Sequence, residues 1–204
     1  MLLYLVVSAT AGVVAPKLAA GWITFQDYPR EALQRGEQGA TEFRVLVTPD
    51  GKPDRCEVLW STGNKRFDNV TCSLIMRRAR FAPALDEAGN PTYGSFHNIN
   101  NFWQPGEGKS RFPLSLGPDI RLTVRSLPGG ISTPVVVEVH VAVDDQGAFK
   151  TCSVPSNEGQ QKLAAAACAR LRTDWAPALL RNSAGVAVSY VKVVKVSFEL
   201  DKSS

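Results

Sequence analysis

Two segments have the same length and a cysteine at each end: CEVLWSTGNKRFDNVTC from Cys56 to Cys72, and CSVPSNEGQQKLAAAAC from Cys152 to Cys168. The second segment begins 96 residues after the first. The residues in and before these segments that recur at this offset are Val45, Val47, Gly51, Val58 and Gly63, which return as Val141, Val143, Gly147, Val154 and Gly159. This period is too long for a solenoid repeat and typical of a small domain. The sequence therefore predicts one module used twice.

The four cysteines are predicted to form two disulfides, Cys56 with Cys72 and Cys152 with Cys168. Buried free thiols and a zinc site are the alternatives. Zinc sites usually have closely spaced Cys or His ligands, whereas no two cysteines here are close in sequence and the chain has only two histidines. An even number of cysteines in two equivalent pairs favours disulfides, which form in oxidising compartments.

The composition is that of a globular protein, with 44% hydrophobic and 21% charged residues in a chain of 204. The net charge of +4 is small. The one basic cluster, Arg77-Arg78-Ala79-Arg80, has no aromatic residues interleaved with it for stacking on bases. We therefore expect no nucleic-acid partner.

The first 15 residues, MLLYLVVSATAGVVA, are almost wholly apolar but shorter than the ~20 that a membrane-spanning helix needs. They are typical of the apolar region of a secretory signal, with candidate cleavage sites at Ala9-Thr10-Ala11 and Leu18-Ala19-Ala20. Residues 1–20 are predicted to be a signal peptide or a short apolar anchor, and a first β-strand is a third alternative. Export to an oxidising compartment agrees with the cysteines, and membrane contact is expected only if the segment is retained.

Hydrophobic periodicity divides the rest into a first module at 21–103, a linker at 104–130, a second module at 131–200 and a polar tail at 201–204. Each module is predicted to contain two strands, a helix and a last strand. The predicted elements are a short helix at 29–35, strands at 41–48 and 54–60, a helix at 64–80 and an extended segment at 92–103, then strands at 135–143 and 149–155, a helix at 160–172 and an extended segment at 186–200. The fold class is therefore α+β: two tandem small domains, each a helix packed on a short antiparallel sheet in the order β-β-α-β.

Two details of the pattern carry further predictions. Within the linker, 120–124 alternates as an additional strand would. In the last extended segment the apolar phase changes near Val193 and Val194, which predicts a bulge or a break into two strands.

Residues capable of catalysis are few. His140 lies on the polar face of a predicted strand beside Glu138, and His97 lies in the polar segment FHNINN. Neither lies in a sequence motif that would supply an activating partner, and no phosphate-binding loop or metalloprotease motif is present. We expect no catalytic residues, no metal and no cofactor, so the protein is predicted not to be an enzyme. A histidine beside a carboxylate in a deep pocket would change that expectation.

Five stretches of the first module together resemble the TonB C-terminal domain. They are Tyr28-Pro29-x-x-Ala32-x-x-x-Gly36-x-x-Gly39, Phe43-x-Val45-x-Val47-x-x-x-Gly51, Val58-x-x-Ser61-Thr62-Gly63, Phe67-Asp68, and Arg78-Ala79-Arg80-Phe81-Ala82-Pro83-Ala84. The second module is similar more loosely and has no Tyr-Pro element. The resemblance implies an energy-transducer-like domain in the periplasm of a Gram-negative bacterium, with a helix packed against a small antiparallel sheet.

The resemblance also implies a function: the edge of the last strand accepts a strand from another envelope protein, such as an outer-membrane receptor, by β-augmentation. By position the edges are 92–103 and 186–200. The residues expected to bind the partner are Phe96, His97, Asn98, Ile99, Val193, Val194 and Val196. Only a few residues separate the apolar segment from the first module, so the resemblance supports the fold and the compartment more than force transmission. The alternatives are a membrane-anchored energy-transducer variant in TonB-dependent transport, and an envelope enzyme or ligand binder with a site between the domains.

Overall fold

The computed structural model describes residues 12–104, 112, 116–127, 134–154 and 160–201. Its first half contains β1 (Lys17–Leu18), α1 (Arg30–Gln34), β2 (Gly39–Val47), β3 (Pro53–Ser61), α2 (Lys65–Arg78), β4 (Phe81–Ala82), β5 (Ala84–Leu85) and β6 (Pro91–Phe102). Its second half contains β7 (Ile120–Val124), β8 (Val135–Val143), β9 (Phe149–Ser153), α3 (Gln161–Asp174) and β10 (Tyr190–Leu200). Residues 1–11, part of the predicted linker, residue 155 of the predicted strand and residues 202–204 of the tail lie outside the described residues.

The predicted α+β class and the order β-β-α-β are confirmed. In each module an antiparallel hairpin precedes the helix, β2–β3 before α2 and β8–β9 before α3. The hairpin turns contain Gly51 and Gly147, both at φ +78, a conformation that glycine adopts without steric cost. The predicted linker strand is also present, as β7.

The two modules share one sheet, because their last strands pair with each other. The strand order is β3-β2-β6-β10-β8-β9, with β5 beside β6 and β7 beside β10. The pairing of β6 with β10 is parallel and joins only three residue pairs, Tyr93–Ser95 with Tyr190–Lys192. The modules are therefore two repeats joined edge to edge within a single sheet.

The parallel join places the two helices on opposite faces of this sheet. Val45 and Val47 pack with Ile75 of α2. Leu46, whose side chain points to the other face, belongs to the core formed with α3. The pairing register links Leu46 through Ser95 and Lys192 to Val141, so the α3 face of the sheet extends into the first module.

The predicted bulge in the last strand is wrong. β10 pairs with β8 over nine consecutive positions without a shift in register. Val194 and Val196 face the core beneath α3, whereas Val191 and Val193 face a second apolar cluster on the opposite side. The apolar phase changes because both faces of β10 are covered.

The segment 12–18, called the strap below, forms part of that second cluster. Val13 and Ala15 are 2% and 6% exposed and pack with Ala142 and Val191 of the second module. β1 pairs with β4, and the Val14 amide donates to the Leu85 carbonyl at 3.0 Å. Residues 12–18 of the predicted signal or anchor segment are thus integrated into the fold. Among the described helices, none is both long and apolar enough to cross a bilayer.

Both predicted disulfides are present. Cys56 in β3 bonds to Cys72 in α2, and Cys152 in β9 bonds to Cys168 in α3, with Cα–Cα distances of 5.6 and 5.7 Å. Each bond ties the second strand of a hairpin to the helix that follows it. No cysteine in the chain is free, so the zinc and free-thiol alternatives do not apply.

An aromatic cluster fixes the beginning and end of the first module. The rings of Phe67 in α2 and Phe102 at the end of β6 stack at 4.3 Å, and Tyr28 contacts both edge-on. The Tyr28 hydroxyl also donates to the carbonyl of Glu37. β6 is therefore held against the body of the module as far as its last residue.

Candidate partner-binding cleft between the last strands

Beyond their three shared residue pairs, β6 and β10 diverge like the arms of a fork. β6 continues along β2 to Phe102, while β10 continues between β8 and β7. The space between the arms is a cleft of about 600 Å³, called the fork cleft below. One wall belongs to the first module, and the other is formed by residues just before β7 and by β8 and β10.

The prediction of a free edge on β10 is wrong from Lys195 onward. Val194 and Val196 are fully buried, and β10 is paired with β8 along its whole length up to Phe198. On its other side, β7 pairs with Val196–Leu200, and Asp119 bonds to both backbone groups of Lys195. A strand from the linker thus occupies this edge from Val196 onward, whereas neither β6 nor β7 pairs with Val193 or Val194 in the part of the chain that is described. Of these three residues, only Val193 lines the fork cleft.

The edge of β6 is different beyond Ser95. The Ile99 amide donates to the side chain of Asn98 at 2.9 Å, so it points away from β2. Because backbone groups alternate along an antiparallel ladder, the His97 amide points the same way. Among the described residues, no strand pairs with β6 on this side after Ser95. The sheet therefore presents a short backbone edge to the fork cleft at His97–Ile99.

The four residues predicted on this edge differ in the direction of their side chains. His97 and Ile99 line the cleft on the face opposite α2. Phe96 borders the cleft, but its ring packs toward α2 against Phe43 and Phe81, and Asn98 is exposed. The backbone of all four lies at the edge, while His97 and Ile99 supply its cleft-facing side chains.

His97 is held by a carboxylate. Its Nε2 lies 2.8 Å from Glu42 Oε1, and the two side chains are about one quarter exposed. Burial lowers the pKa of His97 below its usual 6.5, the hydrogen bond to Glu42 opposes that shift, and nearby Lys192 adds to it. At neutral pH His97 is therefore uncharged and donates its Nε2 proton to Glu42.

Glu42 lies in the middle of a row of side chains that crosses the first wall. In the pairing register Ile99 is opposite Glu42, and Glu42 is opposite Trp60. Trp60 is 46% exposed. Counted from the open edge of β6, the wall thus presents first an aliphatic side chain, then a carboxylate and then an indole ring.

The opposite wall carries paired charges. Asp119 contacts Lys192 Nζ at 3.1 Å, and Glu138 contacts Lys195 Nζ at 3.6 Å. Of the three carboxylates that line the cleft, Glu42 alone has no lysine or arginine within ion-pair distance in the part of the chain that is described.

The family model described as Gram-negative bacterial TonB protein C-terminal matches residues 26–102. This segment belongs to the TonB C-terminal family. The match begins just before the Tyr28-Pro29 element and ends at Phe102, the last residue of β6. No curated protein matches the chain.

The TonB C-terminal domain therefore accounts for the first module, and the kinship of the second module remains a prediction from the repeat. The matched domain contains β2, β3, α2 and β6, so the open edge of the fork cleft is the edge of its last strand. Proteins of this family act in envelope transport, which fits the oxidising compartment that two disulfides require.

Residues outside the predicted edge set complete the cleft. Glu42 and Trp60 lie on strands that the sequence placed correctly, but only the pairing register brings them beside Ile99. Asp119 comes from the predicted linker. An aromatic residue and an acid in the polar phase of neighbouring strands were signals that could have indicated Trp60 and Glu42.

Both histidines lie within hydrogen-bond distance of a partner in the structure. His97 does lie beside a carboxylate in a cleft, but its hydrogen bonds in the described structure involve Glu42 and no hydroxyl or thiol. His140 contacts the strap, where its Nδ1 lies 3.2 Å from the Val13 carbonyl. Burial lowers the pKa of His140. The described residues contain no group of three metal-ligating side chains.

Proposed function

We propose that this protein is a non-catalytic interaction module of the cell envelope, binding an extended segment of another envelope protein in the fork cleft. The segment adds to β6 at His97–Ile99 by β-augmentation. The observation that carries this proposal is the divergence of β6 from β10, which leaves the last strand of a TonB C-terminal domain with a backbone edge that no described strand covers.

The physical basis is the pairing of backbone groups. A strand that adds to an exposed sheet edge gains affinity from main-chain hydrogen bonds and specificity from alternate side chains. The neighbouring strand would lie about 4.8 Å from β6, in a cleft of about 600 Å³. Only a short segment fits, because the second module already occupies the beginning of the same edge.

We infer that the mature protein is exported to the periplasm. The family and the two disulfides support this location. Of the two candidate cleavage sites, the one after Ala11 preserves the strap, whereas cleavage after Ala20 would remove the buried Val13 and Ala15. The mass of the mature chain checks this directly, and an intact N-terminus in the membrane fraction would favour the membrane-anchored alternative.

The partner site is tested by photo-crosslinking in envelope preparations. We expect a photoreactive amino acid in place of Trp60, at the cleft, to crosslink a partner. The same substitution at Val186, which is 59% exposed and outside the cleft lining, should not. Equal crosslinking from both positions would contradict binding in the fork cleft.

A pair of variants separates backbone binding from side-chain contact. Ile99→Pro removes the amide that points into the cleft and leaves the β2 side of the ladder intact, so we expect loss of the crosslink. Ile99→Ala keeps that amide, so this variant should retain most of the crosslinking. Circular dichroism confirms that both variants fold. Crosslinking by Ile99→Pro at the wild-type level would refute strand addition.

An envelope hydrolase using His97 is the competing function, supported by the contact between His97 and Glu42. If the wild-type chain hydrolyses a panel of peptide and ester substrates and His97→Ala does not, the proposal of a non-catalytic module is wrong. We expect no activity that depends on His97, because no nucleophile contacts it among the described residues.

A further inference from the structure

We propose that the segment bound in the fork cleft carries an arginine opposite Ile99, whose guanidinium is recognised by Glu42 and Trp60. This inference rests on the proposed function, and it specifies the chemistry of the partner. It follows from the order of side chains on the first wall and from the charge pairs on the second.

The pairing register fixes which side chains share a row with the bound segment. A strand added to β6 places one side chain directly beside Ile99, on the face that also carries Glu42 and Trp60. Successive strands are about 4.8 Å apart, so Glu42 is the second neighbour of that side chain. A short side chain ends at Ile99, whereas a long one crosses Ile99 and reaches the carboxylate.

Two of the three carboxylates that line the cleft already contact a lysine. Asp119 and Glu138 already contact Lys192 and Lys195, respectively. Glu42 contacts only His97 among the described residues, through Oε1, and His97 is uncharged at neutral pH because burial lowers its pKa. A partly buried carboxylate without a cation attracts a cationic ligand and disfavours an acidic one.

Arginine fits this row of side chains better than lysine does. The aliphatic stem of a long cationic side chain packs favourably on an apolar neighbour such as Ile99. A planar guanidinium then presents a fork of N–H donors to a carboxylate and stacks on an aromatic face more readily than an ammonium group. Trp60, opposite Glu42 and 46% exposed, supplies that face.

The test is a selection from a random library of ten-residue peptides on the full chain. Cleft-binding peptides are those whose binding is lost on Ile99→Pro. We expect these peptides to share an arginine at one position, and we expect replacement of that arginine by citrulline, its uncharged isostere, to weaken binding about tenfold.

Matched carboxylate variants assign the effect to Glu42. Glu42→Gln keeps a hydrogen-bond acceptor for His97 but removes the charge, so arginine and citrulline peptides should bind it equally. Glu138→Gln removes a cleft carboxylate that already contacts Lys195, so the tenfold preference for arginine should remain. Trp60→Ala should reduce that preference without removing it.

The outcomes separate this inference from the proposed function. Cleft-binding peptides without a shared arginine, or an arginine preference that survives Glu42→Gln, would overturn the inference and leave strand addition to β6 standing. If no selected peptide loses binding on Ile99→Pro, the inference fails. A crosslink at position 60 that also persists in Ile99→Pro then rejects the proposed function as well.

Discussion

At the scale of single residues, the two copies share local conformation but not packing. Gly51 and Gly147 occupy the same hairpin position with the same φ of +78. A Cβ on Gly51 would lie 2.2 Å from the backbone oxygen of Phe81, whereas a Cβ on Gly147 would lie 3.3 Å from Leu179 Cβ. The first turn is therefore pressed against the segment after its helix, and the second has more room.

We predict that Gly51→Ala destabilises the protein more than Gly147→Ala. Both variants carry the cost of a positive φ, about 1 kcal/mol. Only Gly51→Ala adds a backbone clash, which we expect to raise its total to about 3 kcal/mol or more. Urea unfolding of the two variants measures the difference, and equal losses would show that the first turn relaxes without cost.

At the scale of elements, each helix is fixed to its hairpin in two ways. Apolar side chains pack against the sheet, including Leu74 and Ile75 of α2 and Leu163 and Leu171 of α3. In addition, each disulfide joins strand to helix across 16 residues of sequence. α3 is rich in alanine and buries smaller side chains than α2, but the covalent loops have the same length.

Equal loop lengths predict equal entropic contributions from the two disulfides. Replacing Cys56 and Cys72 together by alanine, or Cys152 and Cys168 together, should each lower the free energy of unfolding by about 3 kcal/mol. Denaturant titration of the two double variants provides the measurement. A loss below about 1 kcal/mol in either would mean that strand–helix packing alone holds that module.

At the scale of the whole molecule, each module contacts the other through segments outside the join between β6 and β10. The strap packs on the second module, where Ser153 Oγ donates to the Val13 carbonyl. In return, Ser183 of the second module donates through its amide and hydroxyl to Asp54 of β3, at 2.8 and 2.7 Å. These crossings supplement a strand join of only three residue pairs. We therefore expect one cooperative unfolding transition.

The buried side chains of the strap, Val13 and Ala15, contribute to that stability, whereas the exposed Val14 does not. Val13→Ala removes two methyl groups from a site that is 2% exposed and should lower the free energy of unfolding by about 2 kcal/mol. Val14→Ala is the matched control, because Val14 is 40% exposed and its loss should stay within about 0.5 kcal/mol. Thermal unfolding compares them, and similar midpoints would show that the strap does not pack as described.

Whether a structural feature can be predicted from the sequence depends on how far apart in the chain the residues that form it lie. The turn glycines and the alternation of strands are local patterns, and the period of 96 residues shows each of them twice, so together they predicted the hairpins, the helices and both disulfides. The bulge at Val193 was predicted wrongly, because a strand covered on both faces shows no single apolar phase. The same pattern gave no sign that the linker strand pairs with β10.

The sequence by itself determined a repeated α+β module, its disulfides and, through its motifs, a resemblance to the TonB C-terminal domain. Only the tertiary structure decided which strand edge is open, since pairing between strands far apart in sequence depends on backbone groups that every residue shares. It covered the edge of β10 from Val196 onward with β7 and left His97–Ile99 of β6 facing a cleft. It also placed Glu42 and Trp60 beside that edge, because register, not sequence distance, determines which side chains share a row.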